Sequence, residues 1–316
     1  MSNRTRRQFM GALGSAGLVV GGFGATGRAA HAQTHADLPL TITALRDGLI
    51  QVAGAGGNVV VLAGAEGLLL VDSGSPERAT DLKQLLATHF ANARIAVLFN
   101  THWHLEHTGG NDVLVEPSST VVAHENTRLW MSTKFYVDWQ DQRYSARLPN
   151  ARPNKTFFSS DAQPLELSFG GEKVVYGHLP EAHTDGDIYV QFPDRNVIVA
   201  GGAATAGTYP ILDYITGGWI GGLVSATEKL IALADATTLI VPDAGPPRSR
   251  ADLEAQHQML STVRERVEAM GLKGHGIDEM IAAGLTKEFD ARFGNDARQF
   301  IANTYQGLWW NRMRAI

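Results

Sequence analysis

The segment from Thr101 to Gly110 constrains this chain more than any other. Within six residues it holds three imidazoles and one carboxylate, those of His102, His104, Glu106 and His107. The segment directly follows the apolar run 95–99, which is typical of a buried strand ending at Asn100. Histidines two positions apart on a loop can turn toward one ion, so the segment predicts a metal site at the end of a strand.

The body of the chain is acidic. The 316 residues carry a formal charge of −5, but the first 32 contain four Arg and no acidic residue, which leaves 23 basic and 32 acidic side chains in the remainder. A nucleic-acid partner requires a basic surface, so this composition argues against one. The sequence contains no cysteine. Any bound metal must therefore be held by histidine and carboxylate.

Residues 1–32 have the layout of an export signal. The stretch Thr5–Met10 (TRRQFM) resembles the twin-arginine motif, and a glycine-rich apolar segment and the small-x-small triplet Ala30–Ala32 follow it. The apolar segment is too short and too rich in glycine for a stable membrane span. We therefore expect recognition by the twin-arginine (Tat) export machinery, cleavage after Ala32 and a periplasmic mature chain, residues 33–316.

Beyond the signal, the pattern predicts one domain with two strand-rich halves and covering helices. Short apolar runs bounded by Gly, Asp or Asn read as strands at 40–45, 48–52, 58–62, 67–71, 95–99 and 120–123, and again at 165–169, 173–178, 187–192, 196–200 and 238–241. Helical spacing covers 76–91, 124–131, 220–234, 250–270 and most of 277–314. Residues 132–158 are irregular and aromatic, and read either as a wall of a substrate site or as a packed surface loop.

A second candidate for the metal site lies far downstream. The segment Pro180–Asp187 (PEAHTDGD) falls in a turn between two predicted strands. It supplies His183, which we predict to be the third ligand beside His102 and His104. Asp187, which opens the next strand, is expected to orient a ligand histidine.

Three motifs in this order resemble the metallo-β-lactamase superfamily over about residues 40–250. They are Asp72-Ser73-Gly74, the histidine loop with Gly109-Gly110, and His183-Thr184-Asp185-Gly186-Asp187. The resemblance implies an α+β fold, an αββα sandwich of two mixed sheets packed face to face, with a metal site at one edge. It also implies a first metal on the residues matching His102, His104 and His183. A second metal would use those matching Glu106 and His107, a later His and a bridging Asp.

The chain departs from that pattern at the second metal. Glu106 replaces the Asp of the histidine loop, the bridging Asp falls on Gly202, and the later His falls on Ala244. Three neutral imidazoles and a water complete a tetrahedral zinc, whereas two ligands seldom hold a divalent ion tightly. We therefore expect one tightly bound zinc and a weak or absent second site, with Asp243 as an alternative replacement ligand.

The expected function follows from this metal centre. A zinc on three histidines activates water and polarises a carbonyl, which is sufficient for hydrolysis. Glu106 is then expected to accept a proton and pass it to the leaving group, with His107 positioning it. The resemblance implies a small-molecule substrate, namely an ester, lactone, lactam or thioester. The alternative is a non-catalytic metal- or ligand-binding protein that keeps the fold after losing the second metal.

Overall fold

A computed structural model describes residues 39–161, 164–294 and 297–314. The predicted export signal, residues 1–32, lies outside the described residues. The strands are β1 (Thr41–Arg46), β2 (Leu49–Ala55), β3 (Gly57–Gly64), β4 (Gly67–Val71), β5 (Ile95–Phe99), β6 (Thr120–His124), β7 (Phe135–Val137), β8 (Gln142–Tyr144), β9 (Lys155–Phe157), β10 (Leu165–Phe169), β11 (Glu172–His178), β12 (Ile188–Phe192), β13 (Val197–Gly201) and β14 (Leu239–Pro242). The helices are α1 (Ala79–His89), α2 (Leu105–Thr108), α3 (Asn111–Leu114), α4 (Glu125–Ser132), α5 (Ile220–Leu233), α6 (Arg250–Leu272), α7 (Ile277–Ala282), α8 (Asp290–Phe293) and α9 (Arg298–Arg314).

The strands form two mixed sheets. The first has the order β1-β2-β3-β4-β5-β6-β9, antiparallel from β1 to β4 and parallel from β4 to β9. The second has the order β10-β11-β12-β13-β14, antiparallel except for the parallel pair β13 and β14. A small hairpin of β7 and β8 stands apart from both.

The central strands of each sheet are buried on both faces, which explains why strands such as β4 are apolar at successive positions. Leu69 and Val71 point into the core between the sheets, together with Val190 of the second sheet. Leu68 and Leu70 point outward under α1 and α3, and α5, α6 and α9 cover the second sheet in the same way. Each fully buried Leu or Val side chain contributes about 1.5–3 kcal/mol. The predicted αββα sandwich is confirmed.

The loops that carry the predicted ligands meet at one edge of the sandwich. Because β4, β5 and β6 are parallel, their carboxyl ends lie at a single edge, where the residues that follow them can converge. The β11–β12 loop of the second sheet joins this edge, since Ile188 N–H donates to the Thr101 carbonyl at 2.8 Å. The two halves of the sequence thus contribute to one site.

Two segments are more regular than the sequence predicts. Residues 132–158 contain the β7–β8 hairpin and the strand β9, which adds to the first sheet beside β6. The histidine loop contains the short helix α2, and α3 follows it where the sequence predicts a short helix beginning around Gly110. Among the helices of the described residues, none has the length and apolar character that crossing a bilayer requires.

Candidate metal centre

Asp72 organises the histidine loop from the end of β4. Its carboxylate accepts the Thr101 N–H at 2.7 Å, the Thr101 hydroxyl at 2.7 Å and His107 Nδ1 at 2.8 Å. Asp72 has a left-handed backbone, with φ of 66°, a conformation that Asp adopts more readily than most residues. One buried carboxylate therefore fixes both the start of the loop and His107 on α2.

The structure brings His102, His104 and His183 together. One ring nitrogen of each lies within 4.8 Å of those of the other two, and all three side chains are buried. His104 Nδ1 and His183 Nε2 are 3.0 Å apart, although 79 positions separate the two residues in sequence. These are the three residues predicted from the sequence as ligands of the first metal.

The outer nitrogen of each ring has a partner on the side away from this meeting point. His104 Nε2 lies 3.0 Å from Asp213 Oδ2, and His183 Nδ1 lies 2.6 Å from the Ile211 carbonyl. His102 Nδ1 lies 3.0 Å from the hydroxyl of Thr101, which itself donates to Asp72. The carboxylate and the carbonyl only accept, and the Thr101 hydroxyl already gives its proton to Asp72, so the ring protons lie on these outer nitrogens.

This arrangement of protons tests whether the site fits a metal ion. The inner nitrogens of His104 and His183 both present lone pairs, only 3.0 Å apart, and two lone pairs repel at that distance unless a cation lies between them. Neutral imidazoles with oriented outer nitrogens are also what a divalent transition metal requires. The donor set therefore fits a metal ion held by His102, His104 and His183.

Burial favours the neutral form of His102 and His183. It lowers the pKa of His102 well below its ordinary value, as do the neighbouring rings of His107, His183 and His104. The pKa of His183 is also lowered, chiefly by burial and by His104. Burial opposes ionisation of Asp213, but hydrogen bonds from His104 and Thr216 outweigh it, so the net shift lowers its pKa.

His107 and Glu106 lie beside this group but do not join it. Among the described residues, the only set of three or more such donors close enough to share an ion is the histidine triad. Burial works against protonation of His107, yet Asp72, with Asp243 and Glu106, raises its pKa overall. Glu106 is exposed, in the first turn of α2. The predicted roles of Glu106 and His107 as weak second ligands and catalytic residues stay predictions.

Gly202 has no room for a side chain at the position where the family resemblance places a bridging Asp. A Cβ built on Gly202 lies 2.3 Å from Cδ2 and 2.6 Å from Cγ of His183, so the imidazole occupies the space that a side chain at 202 needs. A second close approach occurs at Gly57, where a Cβ lies 2.4 Å from Cε1 of His107. The backbone thus forms a close-fitting cradle around two of the histidines.

The residues that orient the ligands differ from those expected. Asp187 was predicted to orient a ligand histidine, but its carboxylate accepts the N–H and hydroxyl of Thr184 and so braces the loop backbone. Burial raises the pKa of Asp187 to about 8, against the opposing effect of these hydrogen bonds. The Ile211 carbonyl orients His183 instead. Asp213, which orients His104, was missed because no motif surrounds it and 109 positions separate the pair.

Aromatic side chains form one flank of the centre. Trp103, between two ligands, donates from Nε1 to the Thr216 hydroxyl, which donates to Asp213. Its ring packs edge-on against Phe135 and Tyr144 of the β7–β8 hairpin, with centroids 4.9 and 4.7 Å away. The pKa of Tyr144 is raised well above its ordinary value, first by burial and then by the charges of nearby carboxylates including Glu106. The segment predicted as a substrate wall thus lies next to the centre.

The fold, the triad and the sequence identify the class of protein. The family model described as the metallo-beta-lactamase superfamily matches residues 52–265. The chain therefore belongs to the metallo-β-lactamase superfamily. The α+β sandwich and the histidine triad described above agree with that membership.

Several known proteins are similar to this chain. One curated relative is the 2,4-dinitroanisole O-demethylase subunit alpha of Nocardioides sp. (strain JS1661), 25% identical over 203 residues, which cover 63% of this chain and 56% of the relative. The chain thus matches little more than half of that protein's length.

Solved structures share the fold at low identity. A metallo-beta-lactamase from Pontibacter korlensis is 17% identical with a TM-score of 0.57, covering 71% of this chain and 99% of its own. The sec-alkylsulfatase Pisa1 from Pseudomonas sp. is 16% identical with a TM-score of 0.66, covering 84% of this chain and 50% of its own. At these identities the likeness concerns the fold alone.

Proposed function

We propose that this protein is an exported, zinc-dependent hydrolase of a small-molecule ester, lactone, lactam or thioester, with one tightly bound zinc. The observation that supports the proposal is the convergence of three imidazole lone pairs from His102, His104 and His183. Three histidines with a free fourth position are the ligand set of many catalytic zinc sites. A zinc bound there supplies Lewis acidity, which activates water and polarises a carbonyl.

The chain's own residues supply the proton chemistry. Glu106 is exposed in the first turn of α2, two residues after His104, and its carboxylate accepts the proton of the attacking water and returns it to the leaving group. His107 positions this exchange and is itself fixed by Asp72 at 2.8 Å. The aromatic flank of Trp103 and Tyr144 keeps bulk water away from one side of the site.

The test is a substrate screen of the purified mature protein with and without zinc. Esters, thioesters, lactones and β-lactams form the panel, and aryl methyl ethers are added because one relative is named an O-demethylase. We expect turnover of at least one carbonyl compound, abolished in His104→Ala and reduced about 100-fold or more in Glu106→Gln. Absence of turnover across the panel in zinc-loaded protein rejects the hydrolase.

The second candidate is a non-catalytic binding protein, and Gly202 is the observation that favours it. The His183 ring fills the space for a bridging carboxylate, a group that would help to hold the attacking water in a two-metal enzyme. A binder of this kind holds zinc and a ligand but turns nothing over. Zinc-dependent ligand binding without turnover in the same screen distinguishes it from the hydrolase.

We further propose that the protein reaches the periplasm through the twin-arginine pathway, on the basis of Arg6, Arg7 and the triplet ending at Ala32. Folding before export would allow the metal to be loaded in the cytoplasm. Replacing both arginines by lysine should retain the precursor in the cytoplasm when cell fractions are compared. The mature protein of the unaltered chain should begin at residue 33, and a different N-terminus contradicts the predicted cleavage.

A further inference from the structure

A clamp of buried amides fixes the turn that follows β14. Asn58 on β3 donates its N–H to the Asp243 carbonyl at 2.7 Å, and its side-chain amide donates to the carbonyls of Pro242 and Gly245, each at 2.9 Å. Gln51 on β2 donates to the same Gly245 carbonyl at 2.9 Å and to the Asn58 amide oxygen at 2.8 Å. Asn58 and Gln51 are only 5% and 3% exposed. This turn is therefore held more firmly than an ordinary surface loop.

The clamped turn presents the Asp243 carboxylate to the metal centre. One oxygen, Oδ1, accepts the N–H of Ala244 at 2.8 Å, which sets the rotamer. The turn lies near His107, because Asn58 bonds the Asp243 backbone and the adjacent Gly57 lies against the His107 ring, where an added Cβ would be 2.4 Å from Cε1. The half-buried Asp243 carboxylate is close enough to His107, His104 and Glu106 for their charges to interact. Burial raises its pKa to about 6, while His107 opposes the shift, so Asp243 carries its charge above neutral pH.

Four carboxylates therefore surround the histidines. Asp243 and Glu106 lie beside His107 on two different loops, and Asp72 and Asp213 hold the rings from behind. Even when His107 is protonated beside Asp72, these four formal negative charges exceed the three positive charges of that ring and a divalent ion. Arg147 lies close in sequence to the aromatic hairpin, but its guanidinium is directed to the Thr108 and Gly109 carbonyls and to Asp112.

We propose that Asp243, positioned by Asn58 and acting with Glu106, makes this site select uncharged or cationic substrates and reject anionic ones. The inference rests on the zinc centre of the proposed function and adds the charge class of the substrate. The carboxylates place a negative potential around the centre, which lowers the local concentration and the affinity of an anion. Neutral acyl compounds and those bearing an ammonium group meet no such barrier.

The test compares two zinc-binding probes of the same shape. One is succinic acid monohydroxamate, and the other carries a terminal carboxamide in place of its carboxylate. Binding of each to the zinc-loaded protein is measured by isothermal titration calorimetry at pH 8 and low salt. We expect the carboxamide probe to bind about tenfold tighter or more than the carboxylate probe. The ratio of their dissociation constants should shrink at 0.5 M salt, because exposed charges are then screened.

Matched variants assign the effect to residues. Asp243→Asn removes one charge and keeps the oxygen that accepts the Ala244 N–H, and Glu106→Gln removes one charge on α2. Each variant should reduce the ratio of the two dissociation constants about threefold. The double variant should bind the two probes almost equally. Asn58→Ala, which frees the turn, should reduce the ratio with one zinc still bound. Glu116→Gln, an exposed acid before the amino end of β6, is the charge control and should leave the ratio unchanged.

The outcomes separate this inference from the proposed hydrolase. Equal affinity for the two probes, or an unchanged ratio in both Asp243→Asn and Glu106→Gln, overturns the inference even if esters are hydrolysed. A clear preference for the carboxamide without any ester turnover supports the inference and rejects the hydrolase. If neither probe binds to protein loaded with zinc, both the zinc centre and the inference are wrong.

Discussion

Asp213 contacts His104 across 109 positions of sequence, and the metal centre depends on that single hydrogen bond. Its carboxylate holds the ring proton on Nε2, which leaves Nδ1 free to face His183. The Thr216 hydroxyl donates to the same oxygen at 2.7 Å and fixes the carboxylate. The orientation of a ligand thus comes from a residue that is not a ligand.

Asp213→Asn should lower zinc affinity by about 10- to 100-fold, because the amide removes a charge and can stabilise the wrong imidazole tautomer. Competition with a chromogenic chelator measures the change. Asp278→Asn, which alters an exposed carboxylate paired with Arg298, is the matched control and should retain the parental affinity. An affinity within twofold of the parent in Asp213→Asn contradicts the account of this hydrogen bond.

A second pair of histidines lies outside the centre. The rings of His124 and His178 stack at 3.8 Å with planes 5° apart, and the Ser159 hydroxyl bonds to both. Burial, and then His178, lowers the pKa of His124 to about 3. His178 also has a lowered pKa, chiefly through burial, although the Asp185 carbonyl opposes the shift. Both rings are therefore neutral in the folded protein at neutral pH.

This pair should make the folded state sensitive to acid. The folded pKa lies below the ordinary value of 6.5, so the unfolded chain binds more protons and stability falls as pH drops from 6.5 toward 3. His124→Asn keeps an N-cap for α4 and removes the titrating ring. Urea unfolding at pH 7.5, 6.5 and 5.5 should show a shallower loss of stability in this variant.

Exposed His89 provides the control for that comparison. His89→Asn should follow the parent, since its ring lies at the exposed end of α1. Parallel pH profiles for His124→Asn and the parent contradict the role assigned to the stacked pair.

At the level of elements, the end of β13 determines what the second metal position can hold. Gly202 follows this strand, and its backbone lies against the His183 ring. The family resemblance predicts that the bridging Asp is missing at this position, because a motif comparison compares residue types directly. It did not show that the space was filled, because packing between β13 and the β11–β12 loop is a tertiary contact.

Gly202→Ala should therefore weaken zinc binding about tenfold or more, since its Cβ displaces His183 from the shared ion. The chelator competition described above applies here too. Gly276→Ala is the matched control, because nothing lies within 4 Å of a Cβ at that position. Unchanged affinity in Gly202→Ala shows that the ring can move aside and contradicts the close-fitting cradle.

The same division between local and tertiary information holds for the other elements. The period-2 and apolar runs predicted the strands of both sheets except β9, because burial on two faces leaves a clear pattern. The β7–β8 hairpin was read as irregular, since its strands have three residues each and packing on Trp103 stabilises them. The amide clamp of Asn58 was equally invisible, because its partners lie 184 and 187 positions away.

At the level of the whole molecule, the metal centre joins the two sheets. His102 and His104 follow β5 of the first sheet, and His183 lies between β11 and β12 of the second. An ion held by all three is a cross-link between the halves of the sandwich. A ligand that binds only the folded protein stabilises it by about 2.7 kcal/mol at 100 times its dissociation constant.

Removal of zinc should accordingly lower the thermal midpoint by several degrees, and readdition should restore it. Differential scanning calorimetry of parent and His183→Ala with and without a chelator measures the effect. The variant should unfold at the same temperature under both conditions. A parent midpoint that does not respond to the chelator rejects the cross-link.

Metal analysis of protein purified without added zinc tests the meeting of His102, His104 and His183 most directly. We predict close to one zinc per chain in the parent and close to none in His183→Ala, with His89→Ala unchanged. Two ions per chain, or zinc retained at the parental level in His183→Ala, contradicts a single centre built from these three residues.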